Sequence, residues 1–171
     1  MLRFLQIFFA FFACFFASIA HAGDPTITGT TINSANSELT VTFSEDVFNT
    51  TGGSGNLQAA DFALSISGGV ATIGSATPTS IVKTSQTVWV LGFSTSGIAN
   101  GNESIEVVPV LNSIYDQAGN AAATSQSSNT ATLNEKVLPT LTTVGIASDN
   151  ANTDGPWATA GDIITLTVVS S

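Results

Sequence analysis

After its first 22 residues this chain contains no cysteine, no histidine and no arginine. Each absence closes a class of function. Without cysteine there is no disulfide, so a domain outside the cell must be held by its core alone. Without histidine or cysteine, a Ser-His-Asp or Cys-His catalytic group cannot be assembled. A zinc ion would have to be held by carboxylates only, which zinc rarely accepts. Positive charge is nearly missing too: two lysines stand against twelve acids in residues 23–171, a net charge of −10. Such a surface repels phosphate backbones and anionic membranes, so no nucleic acid or membrane partner is expected. Helical periodicity is also lacking. Thr, Ser, Val, Ile, Gly and Asn dominate instead, which suits short strands and turns.

The first 22 residues have a different character. Arg3 precedes a run, residues 4–19, that is apolar except for Gln6 and Ser18. Ala20-His21-Ala22 follows with the small-x-small pattern of a signal-peptidase site, Ala20 and Ala22 being the small residues. The run falls slightly short of the ~20 residues of a bilayer span. It therefore reads as a secretory signal peptide rather than an anchor. Cys14 lies inside the run instead of closing it, which argues against lipid attachment. About 149 residues remain, enough for one domain, or for one domain and a piece.

In that remainder, alternation marks the strands. Residues 27–32 form a first candidate. Leu39, Val41 and Phe43 share one face of "ELTVTFSED", and Phe62, Leu64 and Ile66 share one face of "DFALSIS". Residues 70–73 are a short candidate behind Gly68-Gly69. Residues 87–93, "TVWVLGF", are continuously apolar in the middle and fit a central strand with Trp89 as core anchor. Residues 103–111 contain Pro109, which predicts an edge position or a bulge. Residues 130–133 are the last. Turn signals such as "NTTGGSGN", "SGG", "SGIANGNE" and "DQAGN" separate these runs. About seven short strands in such a pattern predict an all-β antiparallel sandwich over residues 24–134, with a linker at 135–139. The expected core is Leu39, Val41, Phe43, Phe62, Leu64, Trp89, Leu91, Ile105 and Val107.

The chain also repeats a phrase. "DPTITGTTINS" at residues 24–34 matches "LPTLTTVGIAS" at 138–148 with a constant offset of 114. Aligning Leu39, Val41 and Phe43 with Ile164, Leu166 and Val168 then needs an offset of 125, and so an 11-residue insertion in the loop between. Repeats of this spacing mean an array of domains. Residues 140–171 are accordingly expected to be the truncated start of a second unit, because two strands alone bury no core.

"LTVTFSEDV" at residues 39–47, followed some seventy residues later by "NSIYDQAGN" at 112–120, resembles bacterial Ig-like domains. Such domains occur in S-layer proteins and large multi-repeat surface proteins and adhesins. The resemblance covers residues 24–134 well and the rest partly, and the long "NTTGGSGNLQAAD" connection departs from it. It implies a bacterial source, an Ig-like sandwich, and a spacer or adhesive role without a shared active site. In an Ig-type sandwich Asp24, Glu45, Asp46, Asp116 and Asn120 would meet at one pole. Asp46, Asp116 and Asn120 then become candidate calcium ligands, or else turn caps whose side chains bond the local backbone. Glu135 would stand at the opposite pole, facing the next unit.

Other motifs carry less. Gly52-Gly53-Ser54-Gly55 has the composition of a phosphate loop, but no Lys-Ser/Thr follows it. The acids are scattered over turns and strand ends rather than paired for glycoside hydrolysis. Asn49 and Asn102 head glycosylation sequons that turn-forming asparagines also explain. Trp157, in the inserted loop, is a candidate sugar-stacking residue. The expectation is a secreted, non-catalytic cell-surface module, a rigid spacer or interaction unit whose partners are neighbouring Ig-like domains or surface components. The alternatives are a glycan- or calcium-dependent binding module, or the N-terminal part of a larger exported protein or enzyme.

Overall fold

The computed structural model describes residues 23–149 and 160–170, and the described residues are all-β apart from one turn of 3-10 helix at Ala59–Asp61. Residues 1–22, with the expected cleavage residues Ala20 and Ala22, and Trp157 lie outside the described residues. Among the described residues no helix is long and apolar enough to cross a membrane.

Two antiparallel sheets make the first unit. One has the order β1 (Ile27–Ile32), β2 (Glu38–Phe43), β6 (Val88–Gly92), β5 (Ser80–Lys83); the other has β3 (Phe62–Ser67), β8 (Ser104–Pro109), β9 (Thr130–Thr132). This four-plus-three order is that of an immunoglobulin constant-type sandwich. The two main sheets hold seven strands, the number expected, but their membership differs. Ser80–Lys83 supplies the edge strand, whereas residues 70–73 contribute only β4 (Thr72–Ile73), paired with β7 (Thr95–Ser96) beside the main sheets. Alternation on β2 and β6 turns Leu39, Val41, Trp89 and Leu91 toward Leu64, Ile105 and Val107 of the other sheet. Phe43 meets Phe62 across the gap, ring centroids 6.3 Å apart at 49°, a tilted geometry that suits aromatic quadrupoles. All nine expected core residues are buried.

Although β8 is the central strand of its sheet, Pro109 stands at a local edge within it. β9 pairs with β8 only along Ser104–Glu106, so at Pro109 the neighbour has already ended and no donor is missed there.

β1 carries a bulge between Ile27 and Gly29. Ile27 and Ile32 are five residues apart, an odd spacing that would put them on opposite faces of a regular strand. The extra residue restores Ile27 to the core face, opposite Phe43.

Beyond the first unit, β10 (Leu141–Ser148) and β11 (Ile164–Ser170) form an antiparallel hairpin. It too has a bulge, between Leu141 and Thr143, at the positions 114 residues after Ile27 and Gly29. The pairing corrects the second offset. Val144 faces Val168 and Ile146 faces Leu166, so Leu166 and Val168 stand where Leu39 and Val41 stand in the first hairpin. The offset is 127 rather than 125, the insertion is 13 residues rather than 11, and Leu-Thr-Val falls on Leu-Thr-Val.

Because Phe43 is buried between the sheets and packed on Phe62, Phe43→Ala should cost about 3–5 kcal/mol in chemical denaturation. Stability unchanged from the parent would contradict this packing.

Candidate functional site

The polar groups gather at the two ends of the sandwich. At the end where β2 finishes, Glu45 and Asp46 follow the strand and Asp116 opens the "DQAGN" turn after β8. They are near enough to feel one another: Glu45 is held above its ordinary range by partial burial and then by the charges of Asp116 and Asp46. Asp116 is buried, but its oxygens are already occupied. Its Oδ1 accepts the Asn120 backbone N–H at 2.7 Å, and its Oδ2 accepts the Asn120 side-chain amide at 2.7 Å. Burial pushes its carboxyl up, but these bonds and backbone donors of Gly119 and Ala118 outweigh it and leave the pKa lowered.

That turn is held from outside as well. Phe48 and Tyr115 exchange two backbone bonds of 2.8 Å, and Gly119, at φ 92°, leaves room for the Thr51 carbonyl, which a Cβ would meet at 2.8 Å. The long "NTTGGSGN" connection is thus packed against "DQAGN". Of the two expectations for these residues, calcium ligands or turn caps, the bonds between Asp116 and Asn120 are those of a turn cap. Calcium takes six to eight oxygens, whereas Asn120 presents N–H donors to Asp116 and Asp46 is exposed on the strand-end loop. Among the described residues no group of three or more His, Cys, Asp or Glu is placed to hold a metal. Asp116 and Asn120 instead close their turn on each other. Asp24 is exposed ahead of β1.

The opposite end contains two features that spacing did not reveal. Glu103, inside the Asn102 sequon, is fully buried. Its Oε1 accepts the backbone N–H groups of Val70 and Ala71 at 2.8 and 2.9 Å, and its Oε2 those of Asn100 and Gly101 at 3.0 and 3.1 Å. One carboxylate therefore ties the loop before β4 to the loop before β8. Gly69, at φ 54°, makes the approach feasible, since a Cβ there would collide with the Glu103 carboxyl. The Ala71 amide is the largest influence on Glu103; desolvation opposes it, but with the other backbone donors the pKa falls to about 2.

The second feature is an asparagine clamp. Asn36 sits at the β1–β2 turn with φ 56°, a left-handed conformation that asparagine tolerates. Its Nδ2 donates to the Asn134 carbonyl at 2.7 Å, and its Oδ1 accepts the Asn134 backbone N–H at 2.8 Å and side-chain amide at 2.9 Å. Asn134 also donates to the Asn33 carbonyl at 3.0 Å. Two residues on, Lys136 donates its backbone N–H to Ala99 at 2.8 Å and its ammonium to the Ser34 carbonyl. The chain leaving β9 is thus fastened to the turn joining β1 and β2.

Comparison with protein-family models, with curated protein sequences and with solved structures finds no match.

Glu103 is stabilised as the anion, so its contribution is complete above its unfolded pKa of about 4.5 and is lost as pH falls toward about 2. Glu103→Gln turns an amide N–H toward donors that need an acceptor. It should lower the melting temperature at pH 7, and the gap from the parent should narrow steadily below pH 4.5 in pH-resolved thermal melts. A gap constant down to pH 2 would contradict this role. Millimolar CaCl₂ and EDTA should leave the melting temperature of the parent equal; a calcium-dependent rise would restore a metal site at the Asp116 pole.

Proposed function

We propose that this protein is an exported, non-catalytic structural module of the bacterial Ig-like kind, acting at the cell surface as a rigid spacer or adhesive unit. Export is supported by the leader ending at Ala20-His21-Ala22. A repeating architecture is supported by the two hairpins, which share a bulge position and the Leu-Thr-Val of the second strand. A structural rather than chemical role is supported by the absence of histidine and cysteine after residue 22 and by polar groups spent on holding loops.

The observation that carries the reading is the asparagine clamp. A spacer must pass position and load from the strand it begins with to the linker it ends with. Here β1 and β9 run side by side in the same direction: Ile27 N–H donates to Gln126 Oε1 at 2.7 Å, Thr30 Oγ1 to the Ser128 carbonyl at 2.9 Å, and Asn36 engages Asn134. Tension between the two ends would load these bonds in parallel, as shear, before it opened either sheet. The linker begins only after Lys136 has been tied back to Ala99 and Ser34.

Trypsin provides the test, because Lys83 and Lys136 are the only lysine or arginine residues after Arg3. Lys83 lies within β5, its ammonium over the Trp89 ring at 5.6 Å and bonded to Asn56. In the native protein cleavage after Lys136 should be slow. Asn36→Ala removes several bonds worth about 0.5–1.5 kcal/mol each, so cleavage there should accelerate roughly tenfold or more, with Lys83 still protected. Cleavage after Lys136 in the parent as fast as in the denatured chain would mean an unfastened linker and defeat the rigid-spacer reading. Binding in a glycan-array screen would replace a passive spacer with a sugar-recognition module.

A further inference from the structure

The hairpin β10–β11 leaves one side bare. Residues directly opposite in an antiparallel pair share a face, and the bulge brings Leu141 onto the same side as Val144 and Ile146. Leu141, Val144, Ile146, Ile164, Leu166 and Val168 therefore form one aliphatic face, and each is 51–65 % exposed except Ile146 at 75 %. The other face carries Thr143, Gly145, Ala147, Thr165, Thr167 and Val169. In the first unit the corresponding hairpin face, with Ile27, Leu39, Val41 and Phe43, is covered by the sheet of β3, β8 and β9.

We infer that the aliphatic face of β10–β11 is a self-association surface, covered by the same face of a second copy of this chain. Three observations select that occupant. First, β10 and β11 contain no charged residue in a chain of net charge −9, so two copies can meet here without opposing like charges. Second, the face has no charge or aromatic ring with which to select a foreign polar ligand, and its only hydroxyls, Ser148 and Ser170, stand at its two ends beside Ile164 and Leu141, whereas a flat aliphatic centre complements itself across a two-fold axis. Third, the area suffices. Six side chains exposed to this degree offer on the order of 100 Å² each, so a face-to-face pair removes roughly 1,200 Å², the lower part of the range of specific interfaces.

The two ribbons would pack as layers about 10 Å apart, strands nearly aligned, giving a small sandwich with the Thr-Gly-Ala faces outward. An isolated two-stranded hairpin is marginal in water, so association and hairpin order rise together. This surface goes beyond the spacer reading and does not depend on it, since a chain with a loose linker could still pair through it.

Sedimentation velocity on residues 23–171, which contain every described residue, tests the proposal. Monomer should give way to dimer, and nothing larger, with a dissociation constant on the order of micromolar, as suits a small interface. Ile146→Glu with Leu166→Glu places charges on the aliphatic face and should weaken dimerisation roughly 100-fold or more, as desolvating them without partners demands. Ala147→Glu with Thr165→Glu opposes the same two charges across the same hairpin but on the outer face, and should change the constant by less than about threefold. An unchanged thermal transition of the first unit in each variant shows that its fold is untouched. A parent that stays monomeric at about 100 μM, where interfaces of this size should be populated, overturns the inference. So does equal weakening by both double variants, or open-ended growth, which marks pairing through free strand edges.

Discussion

Everything in the first unit depends on the dry layer between its two sheets, where Phe43 meets Phe62 and Trp89 lies beside Leu39, Val41 and Leu91. No disulfide assists it, so the hydrophobic contacts must outweigh the conformational entropy of some hundred ordered residues. A layer of this kind tolerates polar groups at its margins only if they are satisfied. The described structure meets that condition: no buried side-chain nitrogen or oxygen lacks a hydrogen-bond partner. Glu103, Asp116 and Asn36 are the clearest cases, each placed at an end of the sandwich where loops would otherwise leave backbone groups unpaired. Polar residues here act as cross-links, a part that cysteines often take in small exported domains.

How much of this could be read in advance follows from what a linear pattern encodes. Alternation identified β2, β3 and β8, because each turns large aliphatic or aromatic side chains inward at every second position, and β6 stood out as a continuous apolar run. β5 escaped because only Ile81 of Ser80–Lys83 packs against the core, and a single inward residue has no period. The offset of the second hairpin was misjudged by two residues for a related reason. A shift of two keeps every side chain on its own face, so a hydrophobic pattern cannot distinguish the registers. The identity of Leu39-Thr40-Val41 with Leu166-Thr167-Val168 was the available signal.

The polar sites were less legible still. Asp116 and Asn120 were found as a pair but left with two chemistries, calcium ligands or turn caps, since the sequence does not show whether a carboxylate faces an ion or a backbone amide. Glu103 was seen only as the start of a strand and the middle of a sequon. Its four partners are backbone N–H groups of Val70, Ala71, Asn100 and Gly101, and main-chain donors have no letter in a sequence. Positive-φ glycines give a partial clue: Gly68-Gly69 and Gly101 flank the stretches that converge on that carboxylate. The clamp between Asn36 and Asn134 joins residues 98 apart, beyond the reach of any local motif.

The two hairpins together isolate what covering a β-ribbon contributes. Both have a bulge that aligns apolar residues five apart, both carry Leu-Thr-Val, and both alternate Thr against aliphatics. One is buried to near zero exposure at Leu39 and Val41, whereas the other shows its equivalents, Leu166 and Val168, at 61 and 51 %. Local sequence therefore specifies the ribbon's shape and which side is apolar, but a second sheet decides whether that side is dry. Exposed ribbons are usually protected by lysines, prolines or inward charges along their edges, and β10 and β11 have none of these. A surface built so fully on the plan of a covered hairpin, and with no device to discourage contact, is one whose sequence has been shaped for burial.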